Sequence, residues 1–204
     1  GRGVDRQDAE RQKRLVRNFG RNRRPHGHLA TRRCLATQRR DATLLRRPHL
    51  EAIGHTAMNT DDKRLLRIAY DEAKAGFDEG GCPIGSVLAR GGEVEGQGRN
   101  QRVQKGDPIA HGEMDALRKA GRQKSYRDTT LYTSLSPCMM CSGTIIQFGI
   151  PRVVVGENTN FGGNEEFLRS KGVEVIVADD PDCIALMKRF IDEKPELWAE
   201  DIAE

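Results

Sequence analysis

No stretch of about 18 apolar residues occurs in this 204-residue chain, and its first residues lack the apolar core of a secretory signal. A membrane-spanning or secreted protein is therefore excluded from the expected classes, and a soluble one is anticipated. A disulfide framework is missing as well. Five cysteines, an odd number at irregular spacing, point to a reducing compartment in which they act as thiols or ligands. No internal repeat is visible. The length and a hydrophobic content of 36% suit one well-buried domain and leave little room for two.

Charge is distributed unevenly. Residues 1–57 hold 14 Arg and 1 Lys against 5 acidic residues, so an excess of ten positive charges lies there; because the whole chain is only +4, residues 58–204 are net negative by six. The basic segment has little hydrophobic periodicity and scattered Pro and Gly, and it is expected to be a disordered, Arg-rich tail. It contains no Ser but does contain Asp5, Asp8, Glu10, Asp41 and Glu51, a poor match to a mitochondrial transit peptide. Phe19 is its sole aromatic residue, which leaves a nucleic-acid-binding arm without stacking partners. Met58 is the first methionine of the chain. The preferred reading is that translation starts there and that 1–57 is upstream or vector-derived sequence.

From Met58 onward the pattern is globular. Thr60 is expected to cap a helix with Asp61 and Asp62 in its first turn and Leu65, Leu66, Ile68, Ala69, Ala73 and Phe77 on its apolar face, ended by Gly80-Gly81. Ile84 to Ala89 and Glu93 to Gly98 read as a hairpin about Gly91-Gly92, followed by a loop through Asn100 and Lys105–Pro108. Helices are expected over His111–Ala120, Cys138–Phe148, Glu165–Ser170 and Asp182–Glu193, and strands over Thr130–Ser134, Arg152–Val155 and Val173–Ala178. This alternation implies an α/β domain over 58–204, a three-layer α/β/α sandwich with a mixed central sheet whose first two strands are antiparallel.

The chemistry gathers at two helix starts. Ala110-His111-Gly112-Glu113 sets a His and a Glu two apart; Pro137-Cys138-Met139-Met140-Cys141 sets two thiols at i and i+3 on one helix face, where the helix N-terminus favours thiolates. A C-x-x-C opening a helix after a strand is equally a redox signature, and a lone His is usually no ligand. Yet His111 is the sole His after residue 57, and it stands at a helix start beside Glu113. One His and two Cys leave zinc a fourth position for water; a closed structural site would need Cys82 or Cys183. Cys183 fits a buried face with Leu186, Met187 and Phe190, whereas Cys82 stays open as an alternative.

Together, H-x-E and P-C-x-x-C resemble the zinc nucleobase-deaminase signature. The segments GCPIGSVL, GRNQRVQKG, AHGEMDAL, DTTLYTSLSPCMMCSGTIIQFGIPRVVVGEN, NF and KRFIDEKPELWAEDIAE look like the fungal, yeast-type cytosine deaminases over 58–204. The resemblance implies one Zn2+ per chain on His111, Cys138 and Cys141, Glu113 as proton shuttle, and hydrolysis of free cytosine to uracil and ammonia by zinc-activated water, with 5-fluorocytosine also accepted. It implies that Asn100, the Gly112 N–H and Asp201 hydrogen-bond the base, that Ile84, Leu135, Phe161 and Trp198 wall the pocket, and that Ser136 joins the substrate-binding set. Val103 stands where the family has a Phe, so the rim is expected to be wider or differently shaped, which bears on substrate breadth and not on the reaction. The implied setting is pyrimidine salvage in the cytoplasm, with a nuclear location also open, by a homodimer to which Ile145, Ile146 and Phe148 contribute; no membrane or nucleic-acid partner is implied. The alternatives are a guanine-type or tRNA adenosine deaminase, or a redox or structural-zinc module.

Overall fold

A computed structural model describes residues 58–203. The expectations for residues 1–57 lie outside the described residues. Helix α1 (Thr60–Asp78) leads into strands β1 (Gly85–Arg90) and β2 (Glu93–Arg99); a short helix α2 (Arg102–Lys105) and helix α3 (Gly112–Ala120) precede β3 (Thr129–Leu135). Then come α4 (Met139–Phe148), β4 (Arg152–Glu157), α5 (Glu165–Ser170), β5 (Glu174–Val177), α6 (Pro181–Glu193) and α7 (Pro195–Ile202). The strands form one sheet in the order β2-β1-β3-β4-β5. β1 is antiparallel to both of its neighbours, while β3, β4 and β5 run parallel, so β1 is the single reversed strand of a mixed sheet.

Period-two alternation assigns the two faces. Val87, Tyr132 and Val154 join Leu65, Leu66 and Ala69 of α1 on one side; Leu88, Leu131, Val153 and Val155 join Leu117, Ile145 and Leu168, from α3, α4 and α5, on the other. The anticipated sandwich is therefore present. Among the described residues no helix is long and apolar enough to cross a membrane.

Two local expectations change. The cap of α1 is Asn59, not Thr60: the Asn59 side chain accepts from the Asp62 N–H at 2.8 Å and the Asp62 carboxylate accepts from the Asn59 N–H at 2.9 Å, a reciprocal box that starts the helix one residue earlier than a lone Thr cap implies. The stretch after Asn100 contains α2 where a loop is anticipated, closed by Gly106 in the left-handed region.

Helix α3 lies unusually close to the sheet. A Cβ on Gly98 would stand 2.5 Å from the Ala116 N, and one on Gly112 would stand 2.8 Å from the Ile84 carbonyl oxygen. Only glycine admits this backbone-on-backbone approach. On the opposite face, Asp62 is wholly buried and accepts from Arg152 Nη1 and Nη2 at 2.7 and 2.9 Å and from the Tyr132 hydroxyl at 2.9 Å. Burial opposes its ionisation, but the Arg152, Asn59 and Tyr132 hydrogen bonds prevail and hold its carboxyl below the ordinary 3.8.

Asp62→Asn is expected to destabilise the domain by about 2–4 kcal/mol at pH 7, since it leaves Arg152 without its buried counter-charge. Because the folded pKa is depressed, the carboxylate's contribution is complete above the unfolded value and is lost as pH falls through the folded one. Denaturant titrations of both proteins should therefore differ most at neutral pH and converge in acid. A gap that widens on acidification contradicts this account.

Candidate active site

Two helix N-termini converge where β1 begins and β3 ends. His111 is the N-cap of α3 and Cys138 the N-cap of α4, both with extended backbone. Hydrogen bonds set the β1 and β3 ends against each other, from the Gly85 N–H to Ser134 Oγ at 3.0 Å and between the Ser86 and Thr133 hydroxyls at 3.1 Å. On the α4 side, the Pro137 carbonyl accepts from Ser142 Oγ at 3.3 Å and from Asn164 Nδ2 at 3.1 Å, which fixes the turn that carries Cys138.

Cys138 Sγ lies 3.6 Å from His111 Nδ1, and one donor atom from each of His111, Cys138 and Cys141 falls within 4.8 Å of the other two. A tetrahedral zinc with bonds of roughly 2.3 Å to sulfur and 2.0 Å to nitrogen needs donors separated by roughly 3.5–4 Å, so this set fits such an ion. A hydrogen bond from Cys141 foremost, then one with His111, draws the Cys138 thiol down to about 4 against burial, which favours the thiolate a metal requires. Glu113 is buried beside the cluster without joining it. Burial first, and then the nearby Cys138 charge, push its carboxyl up to about 7.

A cavity of about 480 Å3 opens onto these groups, and His111, Glu113 and Cys138 share its wall with Ile84, Leu135, Ser136, Phe161, Trp198 and Asp201. Phe161 and Trp198 meet edge to face, with ring centroids 5.8 Å apart and planes at 89°. The Phe161 loop is held by Glu157, a wholly buried carboxylate that accepts from the Thr159 N–H, the Asn160 N–H and Asn160 Nδ2 at 2.6, 3.0 and 3.1 Å. Ser136 Oγ is buried at the wall without a protein hydrogen-bond partner, and a Cβ on Gly163 would collide with it.

Three of the anticipated residues stand behind the wall. Cys141, the third member of the donor cluster, is buried. Gly112 is the first residue of α3, where an N–H has no intrahelical acceptor. Asn100, fully buried, donates from Nδ2 to Asp201 Oδ1 at 3.1 Å and accepts through Oδ1 from the Arg102 N–H at 3.0 Å, so each polar end already has one protein partner.

Other anticipated positions fall away from the cavity. Val103 is 47% exposed on α2 and is not among the residues that line the cavity, whereas Pro108 is. Cys82 is buried with Ile84, Leu135 and Trp198 and takes no part in the donor cluster, and Cys183 is buried beside Met187 and Phe190 in the α6 face, as its spacing implies. Ile145 is wholly buried core and Ile146 packs against that core, leaving Phe148 as the exposed member of the stripe. A larger concavity, of about 690 Å3, runs along α3, the 121–127 loop and the end of α4 above a Tyr126–Phe148 stack; it contains none of the anticipated site residues.

The sequence reading passed over Arg102, Pro108, Met139, Asn164 and Glu157. Arg102 binds Asp201 and Glu200, 99 and 98 residues away, and no local charge pattern announces such a pair. Asn164 and Glu157 act on backbone groups, which leave no trace in side-chain spacing.

Residues 59–157 match the model of the cytidine and deoxycytidylate deaminase zinc-binding region. The chain is 53% identical over 150 residues to a cytosine deaminase of Candida albicans, an alignment covering 72% of this chain and 100% of that protein. It is 43% identical over 98 residues to a tRNA-specific adenosine deaminase of Buchnera aphidicola, covering 47% of this chain and 65% of the relative. Among solved structures, the guanine deaminase from Nitrosomonas europaea superposes with a TM-score of 0.56 at 19% identity, covering 66% of this chain and 85% of that one, a likeness of fold.

Purified protein should carry about one zinc per chain by elemental analysis. His111→Ala and Cys138→Ser should each lose it, whereas Cys82→Ser should keep it. Retention of a full equivalent by both His111→Ala and Cys138→Ser would refute the assignment of the cluster.

Proposed function

The chain belongs to the family of cytidine and deoxycytidylate deaminase zinc-binding proteins, and from that premise we propose that it is a zinc-dependent hydrolase that converts free cytosine to uracil and ammonia. The observation that carries this reading is that His111, Glu113 and Cys138 line one cavity together with Phe161, Trp198 and Asp201. The base is named by the likeness to the Candida albicans cytosine deaminase, which extends over the whole of that enzyme. The catalytic unit is residues 58–204, in keeping with the 150 residues that span that relative.

His111, Cys138 and Cys141 are the zinc ligands in this reading, supported by their donor separations. Zinc held there supplies a water activated for attack at neutral pH. Glu113 moves the protons: its carboxylate takes one from the attacking water and delivers it to ring N3 as oxygen bonds to C4, then takes the second from the new C4 hydroxyl and passes it to the amino group, so that the C4–N bond breaks as the carbonyl forms and ammonia leaves. Phe161 and Trp198, packed edge to face, present one ring face and one ring edge to the flat base, with Ile84 and Leu135 completing apolar walls. Asp201 accepts from the exocyclic amino group. Asn100 has one Nδ2 hydrogen beyond its Asp201 bond for the base edge, the Gly112 N–H is a further donor, and Ser136 offers an unpaired hydroxyl.

Enclosure also sets specificity. Ribose at N1 would need an exit that the Phe161–Trp198 cover denies, and the net charge of −6 on residues 58–204 gives a polyanion such as tRNA nothing to bind. A small substituent at C5 leaves the attacked carbon free, so 5-fluorocytosine is a second substrate. The reaction belongs to pyrimidine salvage, in the cytoplasm and with the nucleus open to it, where reduced thiols persist. A homodimer is the proposed assembly, supported by two large apolar side chains left in solvent on α4, Met139 and Phe148.

Glu113→Gln should keep its zinc and lose about 10²–10⁴-fold in kcat, because the proton shuttle disappears while the cluster stands. Loss of zinc from that variant would make Glu113 a ligand instead. Ammonia release across cytosine, 5-fluorocytosine, cytidine, guanine and tRNA should be fastest with the first two. Equal turnover of cytidine, or efficient tRNA editing, would overturn the free-base assignment.

A further inference from the structure

Asp201 is not free to turn in the cavity wall. Arg102 Nη1 meets its Oδ1 at 2.6 Å and Asn100 Nδ2 meets the same oxygen at 3.1 Å. The pair is nearly dry, with the Arg102 side chain 12% exposed and that of Asp201 5%. Both donors converge on Oδ1, and Oδ2 receives no protein donor among the described residues. The other end of the guanidinium bonds the Glu200 carbonyl at 3.3 Å and the Glu200 carboxylate at 3.2 Å, the latter on a side chain 66% exposed and therefore screened.

Arg102 is itself anchored. Its N–H donates to Asn100 Oδ1 at 3.0 Å, and the Asn100 N–H donates to the Ile84 carbonyl at 2.7 Å, at the entrance of β1. A continuous relay thus runs from the sheet through Asn100 and Arg102 to the last turn of α7. The other end of that helix is tied separately, by Lys194 Nζ to the Gly80 carbonyl at 2.9 Å. Trp198 lies between the two ties and contributes to the cover.

We propose that Arg102 is a positioning residue of this enzyme: by occupying Oδ1 it leaves Oδ2 of Asp201 as the oxygen offered to the amino group of the base, and by the same contact it holds the C-terminal turn of α7 over the cavity. The inference rests on the reading that Asp201 contacts the substrate. A planar, forked cation is required, because one group must reach the Asp201 carboxylate and the Glu200 carbonyl together. A lysine supplies the charge from a single point and cannot span both.

The test is a double-mutant cycle with Arg102→Gln and Asp201→Asn, run on whichever base of the panel the wild type turns over fastest, so that failure of cytosine as substrate and failure of this inference are told apart. Arg102→Gln is expected to lower kcat/KM about 10–100-fold in the wild-type background, chiefly through KM, and less than about 3-fold in the Asp201→Asn background, because its effect passes through Asp201. Arg102→Lys, which preserves charge and bulk, should fold with unchanged zinc content and give an intermediate KM with kcat within about 3-fold of wild type. Equal losses in the two backgrounds, or an Arg102→Lys enzyme with wild-type KM, would overturn the proposal.

Discussion

The backbone of α3 rests on the backbone of the β1–β2 hairpin, and the rest of the site depends on that contact. Glycine at 98 and 112 removes the side chains that would hold the two layers apart. Helix and sheet then meet at a spacing set by main-chain atoms, which do not change rotamer. His111 and Glu113, in the first turn of α3, inherit this fixed height. Cys138 and Cys141 inherit theirs from the end of β3, whose neighbour is the same β1 strand. The donor cluster is thus assembled from two helices that share a reference strand, and metal geometry tolerates little error in such a reference.

Electrostatics of the site follow from what is buried with what. Glu113, the cysteine pair and Asp201 form a concentration of potential negative charge in a cavity with apolar walls. Such a set is costly to desolvate unless cations are close. His111 stands at one side and Arg102 at the other, and a divalent ion on the His–Cys–Cys group neutralises the centre. Glu113 has no basic side chain hydrogen-bonded to it among the described residues, which suits a carboxyl that must gain and lose protons during turnover.

Much of this was legible in the sequence because the relevant signals are local. The succession of strands and helices implied a sheet covered on both faces, and the apolar runs of β1, β3 and β4 are indeed buried on two sides. The H-x-E and P-C-x-x-C spacings put four groups on two helix starts. Signals of longer range were silent. Arg102 and Asp201 pair across almost half the chain, Asn59 outcompetes Thr60 as a cap only because Asp62 answers it, and Val103 turns outward because α2 is a single turn that begins after the buried Asn100. In the sequence Asp62 reads as a first-turn charge that complements the helix dipole. It is also the buried counter-ion of Arg152.

The contact of Gly163 with Ser136 has an evolutionary consequence. The loop that carries Phe161 is seated so closely on the residue before Pro137 that a single added carbon at position 163 would occupy the space of the Ser136 hydroxyl. Positions 136 and 163 therefore share one volume. In descendants of this sequence they are free to vary only as a pair, a larger residue at 163 being admitted where 136 has shrunk to glycine, since the Ser136 Cβ itself would stand 2.7 Å from the added carbon, and the depth at which the aromatic cover sits is inherited through that exchange.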